Sequence, residues 1–218
     1  MAAASRRAFS KKYHGPVFHQ WLNVARLWLT LPGKAAAATW RDESRNMAGP
    51  EPQMQTDATR RFNDDEQAKA AMAATVPLSQ VDVTEFDAVF YPGGHGPLWD
   101  LVSDADSTRI ILDSDAAGRP LGLVCHAPGI LHPITAADGT PFVRGRQVAG
   151  FTNGEEEAAQ LTDVVPFLVE DSLIAAGADY RKGPDGESFV VTDGTLVTGQ
   201  NPASSADAAR RVLDLLAR

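Results

Sequence analysis

The stretch Leu121-Gly122-Leu123-Val124-Cys125-His126-Ala127-Pro128-Gly129 constrains the fold more than any other part of this sequence. Four small or aliphatic residues in a row read as a buried parallel strand. The strand stops at a cysteine, and Pro128 and Gly129 then open a helix. A strand that turns into a helix at a reactive side chain is a nucleophile elbow, which lifts that side chain out of the sheet toward a crevice. The helix start behind Cys125 would favour its thiolate. Cys125 is the only cysteine of the chain, so no internal disulfide exists and a reducing compartment such as the cytoplasm fits. A lone cysteine is often just a buried apolar residue. Here the strand before it, the histidine beside it and the helix start after it favour a nucleophile.

The rest of the chain supplies the setting for such an elbow. Strand patterns at 86–91, 121–124, 145–151, 189–192 and 195–198 alternate with helical patterns at 63–75, 104–117, 164–176 and 201–218. Asn63 and Asp104 stand at helix starts, Gly118 at a helix end, and Pro166 suits a first turn. Asp193-Gly194 between two apolar runs is the strongest hairpin signal. Alternation of this kind predicts an α/β fold, a doubly wound and mostly parallel sheet with helices on both faces. At 218 residues the chain can form one sizeable core. A net charge of −8 argues against nucleic acid or an acidic membrane surface as partner, and no apolar run reaches the length of a membrane span.

Residues 1–50 differ in kind. Eight lysines and arginines, from Arg6 to Arg45, face only Asp42 and Glu43, while the remainder is strongly acidic. One amphipathic period runs from Val17 to about Leu31 and ends at Pro32-Gly33. A transit peptide, an ordinary helix packed on the domain, and a mis-framed, non-native stretch all remain open for this segment. The natural division is therefore 1–53, an atypical basic segment, and 54–218, the α/β domain.

In an open α/β sheet, ligands bind beyond the carboxyl ends of the strands. Three loops leave such ends: Gly93-Gly94-His95-Gly96, the elbow, and Thr152-Asn153-Gly154-Glu155-Glu156-Glu157. A Gly-Gly pair lets backbone N–H groups approach an oxyanion, with the His126 N–H as the other expected donor. His126 is the natural base for Cys125. A base needs a third group to orient it, and Glu155, Glu156 and Glu157 are the candidates, two of them expected to be no more than a solvated helix start. A metal group built from His95, Cys125, His126 and His132 has no standard zinc spacing and is disfavoured.

Together FDAVFYPGGHGPLWDL, VCHAPGIL, GRQVAGFTNGEEEA, LTDVVPFLVEDSL and TGQNPASS resemble the PfpI-like branch of the class I glutamine amidotransferase-like superfamily. Within it the chain is similar to the heat-shock protein 31-like, glutathione-independent glyoxalases, from about Met54 to the C-terminus. The resemblance implies a flavodoxin-like α/β fold, a homodimer, no cofactor, and conversion of methylglyoxal to lactate, alongside chaperone activity in stress. It places the nucleophile on Cys125, the histidine on His126, the acid on Glu156 and the glycine-loop contacts on Gly93, Gly94 and His95. A cysteine hydrolase or amidase is the alternative enzyme, and a holdase or redox-sensing protein the alternative without turnover. Members also begin with a central strand and a helix carrying a glutamate aimed at the cysteine. Residues 1–50 show neither, so the expectation is a first strand missing or replaced, two inner edges of the sheet left unpaired, and weaker activity.

Overall fold

The structure is a computed structural model that describes residues 64–67, 70 and 76–217. The amphipathic period 17–31, Glu43, and the question of a first strand within 1–50 lie outside the described residues. So does most of the helix expected at 63–75, although residues 66, 67 and 70 are helical.

The main sheet contains β1 (Val89–Tyr91), β2 (Leu121–Val124), β6 (Leu196–Gly199) and β5 (Val190–Asp193), in the spatial order β1-β2-β6-β5. β1 runs parallel to β2 and β2 parallel to β6, while β5 returns antiparallel beside β6. A second, two-stranded parallel piece pairs β3 (Gln147–Val148) with β4 (Asp179–Tyr180). The helices are α1 (Ala105–Ala116), α2 (Asn153–Ala158), α3 (Val169–Ala175) and α4 (Ser205–Leu216).

Strand alternation sorts the core into two layers. Leu121 and Leu123 of β2 pack with Leu196, with Ile111 of α1, with Leu173 of α3, and with Ile130 and Leu131 beyond the elbow. Val124 points to the opposite layer and packs with Val197 and with Ala208 and Val212 of α4. All four residues of β2 are buried, as a strand covered on both faces requires. Gly122 is glycine because Phe90 and α4 close over it: a Cβ there would lie 2.5 Å from Phe90 Cδ2 and 3.0 Å from Val212 Cγ2. Gly122→Ala is therefore expected to destabilise the fold by about 1–3 kcal/mol through overpacking, read as a lowered melting temperature.

Local signals account for most element ends. Asp104 caps α1 by accepting the Ser107 N–H at 2.7 Å, and Gly118, at φ 65°, follows the last turn of α1. The hairpin forms one residue later than the sequence pattern suggests, with Asp193 paired to Leu196 and Gly194 (φ 61°) first in the two-residue loop. That is the place where a type II′ turn puts its glycine.

Four expectations need correction. The run 145–151 makes only the short β3, because Gly145 (φ 71°) turns the chain just before it and the chain leaves the pairing after Val148. α3 starts at Val169 rather than 164, since Pro166 disfavours a helical residue before it, and Val164 and Val165 instead bond back to the Leu161 carbonyl. The segment after the elbow is a five-residue 3-10 helix, Ala127–Leu131, so no long helix dipole backs Cys125. Finally, the described strands of the main sheet pair in an unbroken row, so among the described residues the sides without a strand neighbour are the outer sides of β1 and β5, and no inner edge is open. Among these residues no helix is long and apolar enough to cross a membrane.

Candidate active site

The elbow is held by the backbone on both sides. Cys125 has φ 63°, a left-handed conformation that costs a residue with a Cβ and persists only where the surroundings impose it. They do so here: the Cys125 N–H donates to Gly199 O of β6 at 2.9 Å, and the Phe151 N–H donates to Cys125 O at 2.9 Å. The carboxyl end of β2 is thus tied to β6 and to the chain entering α2. The side chain leaves the strand direction at that point.

Cys125 Sγ lies 3.0 Å from His126 Nδ1, and His126 Nε2 lies 2.7 Å from Glu156 Oε2. The other carboxylate oxygen, Oε1, is 3.1 Å from His95 Nε2. One line of contacts therefore joins the thiol to an imidazole, the imidazole to a carboxylate, and the carboxylate to a second imidazole. His126 is fully enclosed, with its ring 3.7 Å from that of His95 and 4.2 Å from that of Phe151, centroid to centroid.

The proton positions follow from the electrostatics. Burial raises the pKa of Glu156, but the hydrogen bonds from His126 and His95 outweigh it and hold the group down to about 2. An ionised carboxylate only accepts, so both imidazoles present Nε2–H to it. Burial above all, helped by the neighbouring His95, lowers His126 to about 4 against the pull of Glu156. His126 is then neutral near pH 7, with its proton on Nε2 and its lone pair on Nδ1, facing the thiol. That tautomer is what a general base for Cys125 requires.

Each residue singled out in the sequence has a definite place. Cys125, His126, Glu156 and the His95 ring come together. Gly93 (φ 92°) and Gly94 (φ 85°) form the turn after β1 that delivers His95. His132 lies elsewhere: its Nδ1–H donates to Gly129 O at 2.8 Å and its ring meets Phe167 edge-on. The four-residue metal group weighed from sequence is therefore not assembled. His95, His126 and Glu156 do bring ligand-type atoms within 4.8 Å of one another, an arrangement that their two hydrogen bonds already explain.

Glu155 corrects the expectation of a solvated helix start, whereas Glu157 is exposed as expected. The Glu155 carboxylate is buried and accepts from Gly186 N at 2.8 Å, Asn201 Nδ2 at 2.7 Å, and Thr152 N at 3.1 Å. With Thr152, the N-cap, it forms a capping box over the first turn of α2, and Glu156 is the next residue along. The signature Thr-x-x-Glu was present in the sequence at 152–155. The partners from 186 and 201 were not legible there, because they are remote in the chain.

A mostly parallel α/β sheet with a cysteine at a nucleophile elbow, backed by histidine and glutamate, defines a class of cysteine-centred α/β proteins. Comparison with known proteins names the family: the DJ-1/PfpI family model matches residues 55–215, and the chain belongs to that family. It is 31% identical over 142 residues to glyoxalase 3 of Candida albicans, covering 62% of this chain and 60% of that protein. It is 31% identical over 161 residues to the glutathione-independent glyoxalase HSP31 of Saccharomyces cerevisiae, covering 71% and 68%. The chain thus spans roughly two thirds of the length of these relatives. In structure it resembles the 24 kDa Rapid Encystment Protein of Francisella tularensis, with a TM-score of 0.78, 29% identity, and 90% and 89% of the two chains covered.

Proposed function

We propose that this protein is a glutathione-independent glyoxalase, a cofactor-independent lyase that converts methylglyoxal and related 2-oxoaldehydes to 2-hydroxy acids. Cys125, His126 and Glu156 are the catalytic residues. The observation that carries the reading is the hydrogen-bonded line from Cys125 Sγ through His126 to Glu156, with the base nitrogen on the thiol side. The names of the relatives at 31% identity support the choice of substrate.

In this mechanism the Cys125 thiol gives its proton to His126 Nδ1 as sulfur adds to the aldehyde carbon. The new C–S bond makes a hemithioacetal, and the imidazolium that forms rests against ionised Glu156. The oxyanion is taken by backbone N–H groups of the Gly93-Gly94-His95 turn and of His126. The imidazolium then gives its proton to that oxygen, which leaves His126 neutral again; His126 next takes the C1 hydrogen as a proton and delivers it to C2 while the C1 hydroxyl proton passes to the C2 oxygen, so that C1 is oxidised and C2 reduced with no outside redox partner. The product of that step is a 2-hydroxy thioester on Cys125. Water cleaves it, restoring the thiol and releasing lactate. A soft nucleophile beside a neutral base suits each of these steps at carbonyl carbon.

The same reading treats 54–218 as the functional unit and 1–53 as a separate basic segment, a division that the family match over 55–215 supports. It places the protein in the cytoplasm, with its one cysteine kept reduced, acting as a homodimer on a small molecule and not on nucleic acid or membrane. The test is kinetic. Purified full chain should consume methylglyoxal without glutathione, and should act on it far faster than on aryl amides. Aryl-amide hydrolysis as the faster reaction would make it a cysteine amidase. Suppression of aggregation with neither turnover would make it a holdase.

A further inference from the structure

We propose that the side chain of His95 is a positioning residue of this site: by donating its ring N–H to Glu156 Oε1 and packing its tilted ring against that of His126, it keeps a second proton off the His126–Glu156 pair, so that His126 Nδ1 stays open toward Cys125. The inference rests on the proposed reaction and adds to it a side chain that the Cys–His–Glu line does not include.

The geometry is specific. His95 Nε2 is 3.1 Å from one oxygen of Glu156 while His126 Nε2 is 2.7 Å from the other, and the two rings lie 3.7 Å apart at 39°. Both histidines and Glu156 are buried, at 5%, 0% and 1% exposure, so water does not readily replace a lost partner. With both Nε2–H groups donating, each carboxylate oxygen has a partner. Take the His95 donor away and Oε1 keeps the desolvation cost of a buried anion without its compensating hydrogen bond. The pair can then relieve that cost by binding a proton. If the proton settles on the carboxyl, its O–H can donate to His126 Nε2 and drive the ring proton to Nδ1. If it settles on the ring, Nδ1 is occupied as well. Either way the lone pair facing Cys125 is lost.

The other titratable groups around the pair do not offer the same control. Cys125 meets His126 from the elbow, Glu155 turns away to Gly186 and Asn201, and Glu157 is exposed. His95 also acts on both members in the same direction, since it lowers the pKa of His126 and of Glu156.

The experiment measures the pH dependence of two rates in the full chain: turnover of methylglyoxal, and alkylation of the single cysteine by iodoacetamide. In His95→Leu both acid limbs should move upward by about one pH unit or more, the size of effect one close neighbour exerts. Above its limb, the alkylation rate should return to within about threefold of the parent. His95→Gln keeps an N–H donor at a comparable reach and should hold its limb near the parental position. If His95→Leu does not fold, His95→Asn, polar but too short to reach Glu156, should show the same displaced limb. Two results overturn the proposal: parental limbs in the variants that lack the donor, or equal rate losses in all variants with no change in pH dependence, as a packing role alone would give. The alkylation arm also separates this inference from the proposed function. A displaced alkylation limb in a protein that does not turn over methylglyoxal would leave the role of His95 standing and remove the glyoxalase.

Discussion

Serine in place of Cys125 should lower methylglyoxal turnover by at least about 10³-fold while leaving the melting temperature nearly unchanged. The substitution preserves volume at a residue packed with Val124 and Val197, and it keeps a hydroxyl that can donate to His126 Nδ1, so the site's geometry survives. Two properties are lost. A hydroxyl is far less acidic than a thiol, and an oxygen ester is a poorer intermediate to release than a thioester. Turnover within about tenfold of the parent would remove Cys125 from the chemistry.

Glu156→Gln should be nearly as severe, lowering kcat/KM by about 10²–10⁴-fold, the range in which loss of a base-orienting acid falls. The present carboxylate accepts two ring N–H groups, at 2.7 and 3.1 Å. An amide accepts through only one of its two ends. If its NH2 faces His126, it donates to Nε2 and the ring must carry its proton on Nδ1, where the Cys125 proton has to go. If its NH2 faces His95 instead, His95 must turn or change tautomer. Steady-state kinetics across pH, with circular dichroism to confirm folding, checks the outcome. A variant within about tenfold of the parent at every pH would show that Glu156 neither orients nor charges the base.

Local chemistry explains which parts of this molecule could be read in advance. β2 is a run of small and aliphatic residues ending at Cys125, α1 has a capping aspartate and a terminal glycine, and the hairpin has its glycine. Each of these signals acts within a few residues, and each appears close to where it was read. The failures involve longer range. Pro166 looked like a first-turn proline, yet it excluded the turn before it, and the helix begins three residues later at Val169. The 145–151 run has strand character but only a two-residue partner in β4. An apolar pattern alone does not show how long that partner will be.

The site followed the same division. Cys125 and His126 are adjacent and were legible together, and the resemblance carried Glu156. The part played by the His95 ring was not legible, because it depends on 61 residues of chain folding back on one carboxylate. Glu155 was misjudged for a related reason: acids in a first turn usually face water, and only the approach of Gly186 and Asn201 makes this one a buried anchor. Two successive glutamates on α2 thus divide the work. One fixes the helix to its surroundings, and the next stands against His126.

In the proposed reaction a thiol and a neutral imidazole, oriented by one carboxylate, suffice to turn a 2-oxoaldehyde into a 2-hydroxy acid. Proton NMR of the full chain incubated with methylglyoxal and no glutathione tests it most directly, with Cys125→Ser run in parallel. Lactate should form in an amount equal to the methylglyoxal lost, over many turnovers by the parent and not by the variant. Methylglyoxal that disappears without lactate, at the same rate in both proteins, would contradict it.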